Sequence, residues 1–247
     1  MTLPGRDRLT IAFHNLPVLT TNQMIEVDRL MIEEWGITLM QMMENAGRNF
    51  AELARRQMEG KVQGKRVAVL CGNGNNGGGG MTAARHLHNW GAHVEAILVG
   101  DENRLKDVPV QQWRILQRMG IKHSTFDLSN ADLILDAMLG YGSRGDPRLP
   151  VADWIQLANE SGVPILSLDS PSGLDTTTGI PGSPCIHASA TLTLALPKTG
   201  LLAPTAKPYV GDLYLADISV PPELYAAPSL GWQVPSPFRE DTIVKWS

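Results

Sequence analysis

Cysteines and long apolar runs are scarce in this 247-residue sequence. The two cysteines, Cys71 and Cys185, lack the spacing of a metal-binding motif, and a disulfide framework normally needs more of them. No apolar run approaches the roughly 18 residues that span a membrane, and the opening MTLPGRDRLTIAFHNLP lacks the hydrophobic centre of a secretory signal. We therefore expect a cytoplasmic protein, in a reducing compartment and without membrane association.

Basic residues are not in excess either. The formal net charge is -4, and no cluster of lysine and arginine suggests a polyanionic partner, so nucleic acid is disfavoured. None of the six histidines accompanies a cysteine or a G-x-S-x-G elbow, so a hydrolase triad has no support.

The length and the 43% hydrophobic content predict one large domain with a full core, over residues 19–247. Residues 1–18 are punctuated by proline and are interpreted as an irregular arm. Apolar residues at helical spacing predict helices over 22–34 and 38–58, the first capped by Thr20 or Thr21.

Strands and helices then alternate along the chain, which indicates a parallel α/β sheet covered on both sides. The predicted strands are 66–71, 93–99, 132–136, 164–169, 190–195 and 212–216, and the helices between them are 81–90, 108–119 and 151–161. In such sheets ligands bind beyond the carboxyl ends of the strands.

The stretch VAVLCGNGNNGGGG places a glycine loop between the first of these strands and a helix, an arrangement that suits a phosphate or another anion. Gly72, Gly74 and Gly77 satisfy the dinucleotide pattern G-x-G-x-x-G, and Asp101 lies where a ribose-binding acid would follow, so an oxidoreductase remains open. The paired asparagines inside the loop can ligate a hard cation, hold sugar or carboxamide groups, or adopt left-handed turn angles.

Two further strand ends carry polar side chains. Asp136 ends one strand and precedes a glycine-rich loop, where it is a candidate cation ligand or a helix cap. Asp169 ends the next strand and is the candidate general acid/base, because partial burial can raise the pKa of a carboxyl group into the working range. Asn76, Asp136 and Ser172 could therefore converge on one oxygen-rich cation site beside a phosphorylated ligand.

Five segments together resemble the YjeF N-terminal domain family, the NAD(P)HX epimerases: LMQMMENAG, VLCGNGNNGGGG, LDAMLGYGSRG, LDSPSGLD and LALPKTGL. The family patterns run close to LMENAG, GxGNNGGDG, DALFGxGxxG, DxPSGxD and APK. The likeness covers roughly residues 19–225 in the same order and spacing.

This resemblance implies a three-layer, Rossmann-like α/β fold with a mostly parallel central sheet, two N-terminal helices and usually a homodimer. It implies interconversion of the R and S forms of NADHX and NADPHX, which are nicotinamide cofactors hydrated to carry a hydroxyl on ring carbon six. We expect a stand-alone epimerase, with a separate dehydratase as its functional partner.

The resemblance also implies roles for single residues. Asp169 matches a substrate-contacting and catalytic carboxylate, and Asn76, Asp136 and Ser172 match ligands of a potassium ion. Lys198 matches the lysine of the APK pattern, with no role assigned. The implied substrate-binding residues are Asn75, Asn76, Gly77, Gly78, Gly79, Gly140, Tyr141, Gly142, Ser143, Arg144, Gly145, Asp146 and Asp169.

One residue departs from the pattern: Gly79 stands where the family has an aspartate. Losing one hydrogen bond to a charged group costs about 1.5 to 3 kcal/mol, which is tenfold or more in affinity or rate. Three hypotheses therefore stand: an epimerase, a non-catalytic binding or scaffold relative, and a nicotinamide-dependent oxidoreductase.

Overall fold

The structure is a computed structural model that describes residues 10–11, 16–121, 127–235 and 237–246. Two helices lie near the start of the described chain. Helix α1 spans Thr21–Arg29 and continues through a π-helical turn, Leu30–Glu34, and helix α2 spans Leu39–Gln57. Thr20 and Thr38 cap them, each paired with a glutamine three residues later in a capping box. The predicted N-terminal helices are confirmed.

Eight strands of the described part of the chain form one sheet, and further α-helices pack around it. The remaining helices are α3 Asn75–Asn89, α4 Asp107–Arg118, α5 Val151–Glu160, α6 Lys207–Val210 and α7 Pro222–Tyr225. The strands are β1 Thr10–Ile11, β2 Arg66–Cys71, β3 His93–Leu98, β4 Leu133–Ala137, β5 Ile165–Leu168, β6 Ala190–Leu194, β7 Asp212–Ala216 and β8 Ile243–Trp246.

The strand order is β1-β8-β7-β6-β5-β4-β2-β3, and every neighbouring pair is parallel except β7 and β8. The strand order reverses at β2: β3 lies on one side of β2 in the sheet, and β4 and the strands that follow it lie on the other side. Ligand clefts form at such reversals, beyond the carboxyl ends of the strands. The mostly parallel α/β fold that we predicted is confirmed.

The central strands are buried on both faces, as parallel strands covered by helices must be. Val67 and Val69 pack with apolar residues of α2, α3 and α4, whereas Ala68 and Leu70 pack in a second cluster with Ile155 of α5. The sheet therefore lies between two helical layers, and this is the predicted three-layer arrangement.

The start of α3 differs from the prediction. We expected a loop up to Gly80 and a helix from Met81, but α3 begins at Asn75 with Gly74 as its N-cap. None of the glycines from 72 to 80 has a positive φ. The glycines serve close packing instead: a Cβ on Gly47 or Gly78 would overlap Thr82 or the Met43 sulfur, so their small size lets α2 lie against α3.

Short strands at the sheet edge were also missed. We predicted an irregular arm over residues 1–18; of these, 1–9 and 12–15 lie outside the described residues, but Thr10–Ile11 pair in parallel with Lys245 and Trp246 of β8. Strand β8 itself runs antiparallel to β7, so the end of the chain folds onto the body. Within the described ranges, no helix is long and apolar enough to cross a membrane.

Candidate functional site

A cavity of about 610 Å³ opens at the carboxyl ends of β2, β4 and β5, where the sheet order reverses. Part of its lining is apolar and includes Met24, Ile25 and Leu39 of the N-terminal helices. Another part is main chain at the start of α3, together with Lys106. A cavity lined by both kinds of group suits a ligand that combines a flat ring with anionic groups.

Asp169 lies in the wall of this cavity, directly after β5. Its backbone is in the left-handed region, with φ of 65°, which is uncommon for a residue other than glycine and turns the side chain away from the strand direction. The carboxyl group is 2% exposed. Its Oδ2 accepts the Tyr141 backbone N–H at 2.9 Å, and its Oδ1 accepts the Lys198 ammonium at 2.6 Å.

Lys198 is the cationic partner that sequence reasoning did not assign. It is fully buried, and its ammonium group also donates to Thr193 Oγ1 at 3.1 Å and to the Leu194 carbonyl at 2.9 Å. All three ammonium protons are thus used. A charged lysine without exposure is uncommon unless it is paired, so the pair with Asp169 is what permits its burial. Lys198 lies in the mostly apolar segment LALPKTGL, and this context could have indicated that the lysine is buried and paired.

Asp28 of α1 is a second carboxylate on the cavity wall, and no sequence motif indicated it. It accepts the Tyr141 hydroxyl at 2.6 Å. Burial raises the pKa of Asp28 above its usual 3.8, and the charge of Asp169 adds to this, while the Tyr141 bond and the charge of Lys198 oppose it. Burial and the neighbouring Asp28 likewise raise the pKa of the Tyr141 hydroxyl.

The turn between β2 and α3 explains two glycines of the G-x-G-x-x-G pattern. A Cβ on Gly72 would overlap the Met138 carbonyl oxygen, and a Cβ on Gly77 would overlap the Gly72 carbonyl oxygen. These glycines therefore let the turn pack against the segment after β4. The third, Gly74, has open space around it and lines the cavity.

The residues predicted to hold a cation lie in one connected group. Asp136 is fully buried and accepts hydrogen bonds from the Ser172 hydroxyl at 2.6 Å and from the Ser167 hydroxyl at 2.8 Å. Asn76 donates to the carbonyls of Leu139 and Leu168 at 2.8 and 3.1 Å. Burial raises the pKa of Asp136, whereas these hydroxyls and two backbone N–H groups oppose the shift.

This group has the oxygen chemistry that hard cations prefer: carboxylate, hydroxyl and main-chain carbonyl. Asp136 has hydrogen-bond donors but no cationic side chain among its described partners, and a buried carboxylate is stabilised by a nearby positive charge. The residues present therefore fit a monovalent or divalent hard cation. No cluster of three His, Cys, Asp or Glu side chains occurs in the described part of the chain.

The structure brings most of the predicted substrate-binding residues to the cavity, but not all. Those that line it are Asn75, Asn76, Gly79, Gly140, Tyr141, Gly142, Ser143 and Asp169. Gly77 and Gly78 are buried in the helix packing instead, and Arg144, Gly145 and Asp146 are exposed outside the cavity wall. Asp146 accepts the Ser183 backbone N–H at 2.8 Å, which is a structural contact.

Asp101, the candidate ribose-binding acid of an oxidoreductase, has a local partner. Its Oδ1 accepts the backbone N–H of Asn103 at 2.9 Å and caps the 3-10 turn Glu102–Arg104. It is not among the residues that line the cavity. The contacts of Asp101 therefore give no support to dinucleotide binding of the dehydrogenase type.

Comparison with known proteins agrees with the motifs. The sequence profile described as YjeF-related protein N-terminus matches residues 39–200. The chain belongs to the YjeF N-terminal family. An NAD(P)H-hydrate epimerase of Dehalogenimonas lykanthroporepellens is 40% identical to this YjeF N-terminal chain over 230 residues, which cover 92% of the chain and 91% of the relative.

Other relatives differ in length. A bifunctional NAD(P)H-hydrate repair enzyme of Moorella thermoacetica is 35% identical over 85% of this YjeF N-terminal chain, which covers only 42% of that enzyme. Among solved structures, that of the yeast protein ynu0 matches 93% of the chain with a TM-score of 0.79 and 25% identity, and all of the yeast chain is covered. The fold is thus shared with the yeast protein over 93% of the chain.

Gly79, the departure from the family pattern, lies on the cavity wall within α3. A Cβ at this position would lie 2.7 Å from a terminal methyl group of Leu168. Leu168 would have to move to admit any larger side chain, so the space in front of residue 79 is taken by this leucine.

Proposed function

We propose that this YjeF N-terminal protein interconverts the R and S forms of NADHX and NADPHX, and so serves the repair of hydrated nicotinamide nucleotides. The observation that carries the proposal is that Asp169, on the wall of a nucleotide-sized cavity, is paired with the buried Lys198. The chain also matches a named epimerase over nine-tenths of both lengths.

The two kinds of lining in the cavity match the two parts of such a substrate. The backbone at the start of α3 offers N–H groups at the positive end of a 15-residue helix, where phosphates bind favourably, and Lys106 adds a positive charge there. The apolar part of the lining, which includes Met24, Leu39 and Met42, suits the reduced pyridine ring. A nucleotide bound this way places its ring beside Asp169.

Epimerisation at ring carbon six requires that a bond at this carbon breaks and forms again. Either the hydroxyl leaves and returns through an iminium-like cation, or the ring opens and closes. Both routes need a carboxyl group that passes a proton to an oxygen or nitrogen of the substrate and takes one back. Asp169 has this role in the proposal, and Lys198 and the Tyr141 backbone N–H hold its carboxyl group in place.

The cofactor in the proposal is a potassium ion held by Asn76, Asp136 and Ser172. When bound, the ion supplies the positive charge that the buried Asp136 lacks among its described partners. Melting in potassium chloride and in choline chloride of equal ionic strength tests this: potassium should raise the melting temperature of the wild type but not of Asp136→Asn. Glu59→Gln, at an exposed position, is the matched control and should keep the response.

The proposal also includes a homodimer and a functional partner. The segment of α1 and the π-helical turn exposes Ile25, Ile32 and Trp35, with 52%, 44% and 46% of their surface accessible, which offers an apolar face for a second copy. Light scattering should give twice the chain mass for the wild type and a monomer for Trp35→Glu. The functional partner in the proposal is a dehydratase, which consumes one of the two epimers.

The decisive experiment supplies the epimer that a dehydratase does not accept. With dehydratase in excess, NADH should form at a rate set by the concentration of this protein, well above spontaneous epimerisation. Asp169→Asn should abolish the acceleration, and because it leaves Lys198 buried without a counter-charge, the assay is run at a temperature where circular dichroism shows the variant to be folded. A wild type that gives no acceleration would overturn the proposal.

The non-catalytic alternative rests on Gly79. If the wild type were inactive and Gly79→Asp restored epimerisation, the missing carboxylate would explain the loss, and the natural protein would be a binding or scaffold relative. Gly79→Ala separates this effect from packing, because it makes the same approach to Leu168 without adding a charge.

A further inference from the structure

The part of the cavity wall that the proposed function leaves unused is Asp28. Its carboxyl group is half-buried on α1, and Asp28 belongs to none of the five segments that carry the family resemblance. Tyr141 connects it to Asp169: the Tyr141 backbone N–H donates to Asp169 Oδ2, and the Tyr141 hydroxyl donates to Asp28 Oδ2. The two carboxyl groups therefore face one cavity from different elements and are separated by the length of one tyrosine.

Resting on the proposed function, we infer that Asp28 is a second catalytic residue, which transfers a proton at the face of the substrate ring opposite to the face served by Asp169. Tyr141 is the positioning residue that holds both carboxyl groups. A single carboxyl group serves one face of a planar intermediate, whereas inversion needs departure from one face and return on the other. Two carboxyl groups on different walls meet that requirement.

The environments of the two groups differ in the sense that acid and base roles require. Asp169 Oδ1 is ion-paired with Lys198. Asp28 has no cation within ion-pair distance among the described residues, and burial raises its pKa. The titratable groups that face Asp28 are Tyr141, Asp169 and Lys198, together with Tyr225 of α7, whose own pKa is raised by burial and by the charges of Asp217 and Asp28.

The steps balance as follows for the epimer whose hydroxyl lies on the Asp28 side. Protonated Asp28 gives its proton to the C6 hydroxyl as the C6–O bond breaks, the electron pair leaves with water, and the ring nitrogen lone pair forms the N1–C6 double bond. Water then attacks C6 from the Asp169 side, Asp169 takes its proton, and the N1–C6 electron pair returns to nitrogen. No oxidant or reductant is consumed, and proton exchange with solvent then returns Asp28 to its protonated form and Asp169 to the carboxylate. The reverse reaction uses the two groups in exchanged roles.

Oxygen exchange in water enriched in oxygen-18 tests this assignment. Wild type should place the label in the inverted product from either epimer. Asp28→Asn should slow inversion by about 100-fold or more. It should still exchange the oxygen of one epimer with retention of configuration, since Asp169 alone can release and return water on its own side. Asp169→Asn should show the same behaviour with the other epimer.

Control variants separate catalysis from folding. Asp28→Glu should regain part of the inversion rate. Glu33→Gln, which loses only a surface pair with Arg29 on the same helical segment, should leave the rate unchanged. Should Asp28→Asn not fold, Tyr141→Phe replaces it. This variant lacks the hydrogen bond from the Tyr141 hydroxyl, which lowers the pKa of Asp28. The pH above which the inversion rate falls, as Asp28 loses its proton, should therefore be higher than in the wild type.

Three outcomes would overturn the inference. Asp28→Asn could invert substrate at the wild-type rate, or it could lose label exchange from both epimers together with substrate affinity, which would mean that Asp28 only shapes the cavity. Likewise, an unmoved rate profile in Tyr141→Phe contradicts it. These three outcomes leave the proposed function intact. A fourth outcome, a wild type that neither inverts nor exchanges, refutes the proposed function and this inference with it.

Discussion

Replacing Lys198 by methionine tests whether the buried ion pair supports both the fold and the site. Methionine keeps most of the length and volume of the lysine stem but removes the ammonium group and its three hydrogen bonds. Asp169, which is 2% exposed, is then left as a buried carboxylate with only the Tyr141 N–H as partner. Breaking a buried pair in this way costs about 3 to 5 kcal/mol.

Urea denaturation at neutral pH measures this loss as a lower free energy of unfolding. The double variant Lys198→Met/Asp169→Asn removes both charges, so it should be less destabilised than the sum of the single variants, with a coupling of about 1 kcal/mol or more. Lys61→Met, at a position 77% exposed, is the control and should change stability little.

A loss below about 1 kcal/mol in Lys198→Met would refute the reasoning, because it would mean that water reaches Asp169. Strict additivity in the double variant would refute it as well, since the two charges would then act independently.

Three further predictions follow from named contacts. As pH rises from 3.8 upward, the free energy of unfolding of the wild type should fall relative to that of Asp28→Asn. The reason is that the pKa of Asp28 is raised in the folded state, which therefore binds this proton more tightly than the unfolded state does. Urea titrations in which both proteins show the same dependence of stability on pH would contradict it. In the same assay, Gly77→Ala should lower the free energy of unfolding by about 1 to 3 kcal/mol, because its Cβ would overlap the Gly72 carbonyl oxygen. Gly74→Ala has open space around the new Cβ and should lower it by less than about 1 kcal/mol. Equal losses of stability in the two variants would contradict the packing explanation. Thr38→Ala should lower stability by about 0.5 to 2 kcal/mol through loss of the N-cap of α2, and an unchanged melting temperature would show that the cap is dispensable.

The sequence predicted the body of the sheet well because its strands are short, apolar and separated by amphipathic helices. Strand β2 has the predicted bounds of 66–71, and the helix near 108–119 is observed as Asp107–Arg118. The start of α3 was wrong because glycine has a low helix propensity, and only the tertiary contacts with α2 and β4 explain why glycines occupy its first turns. Strand β8 was missed because it has only four residues, which form a strand through their pairing with β7.

The candidate site was partly predictable. The topology rule placed the strand ends together, so the convergence of the segments near Asn76, Asp136 and Asp169 followed from the alternation of strands and helices. The pairing of Asp169 with Lys198 did not follow, because it joins residues 29 positions apart through a turn with a left-handed residue. Nor did the role of Asp28, which depends on how α1 crosses the cavity mouth and has no local sequence signal.

The reversal of the sheet at β2 also bears on how the protein acquires its binding capacity during folding. The Asn76 amide contacts carbonyls 63 and 92 positions further along the chain, so these contacts form only after large loops have closed. Non-local pairing of this kind is slow compared with helix formation. In a refolding experiment, nucleotide binding should therefore appear with the final, slow phase, after circular dichroism has already recovered.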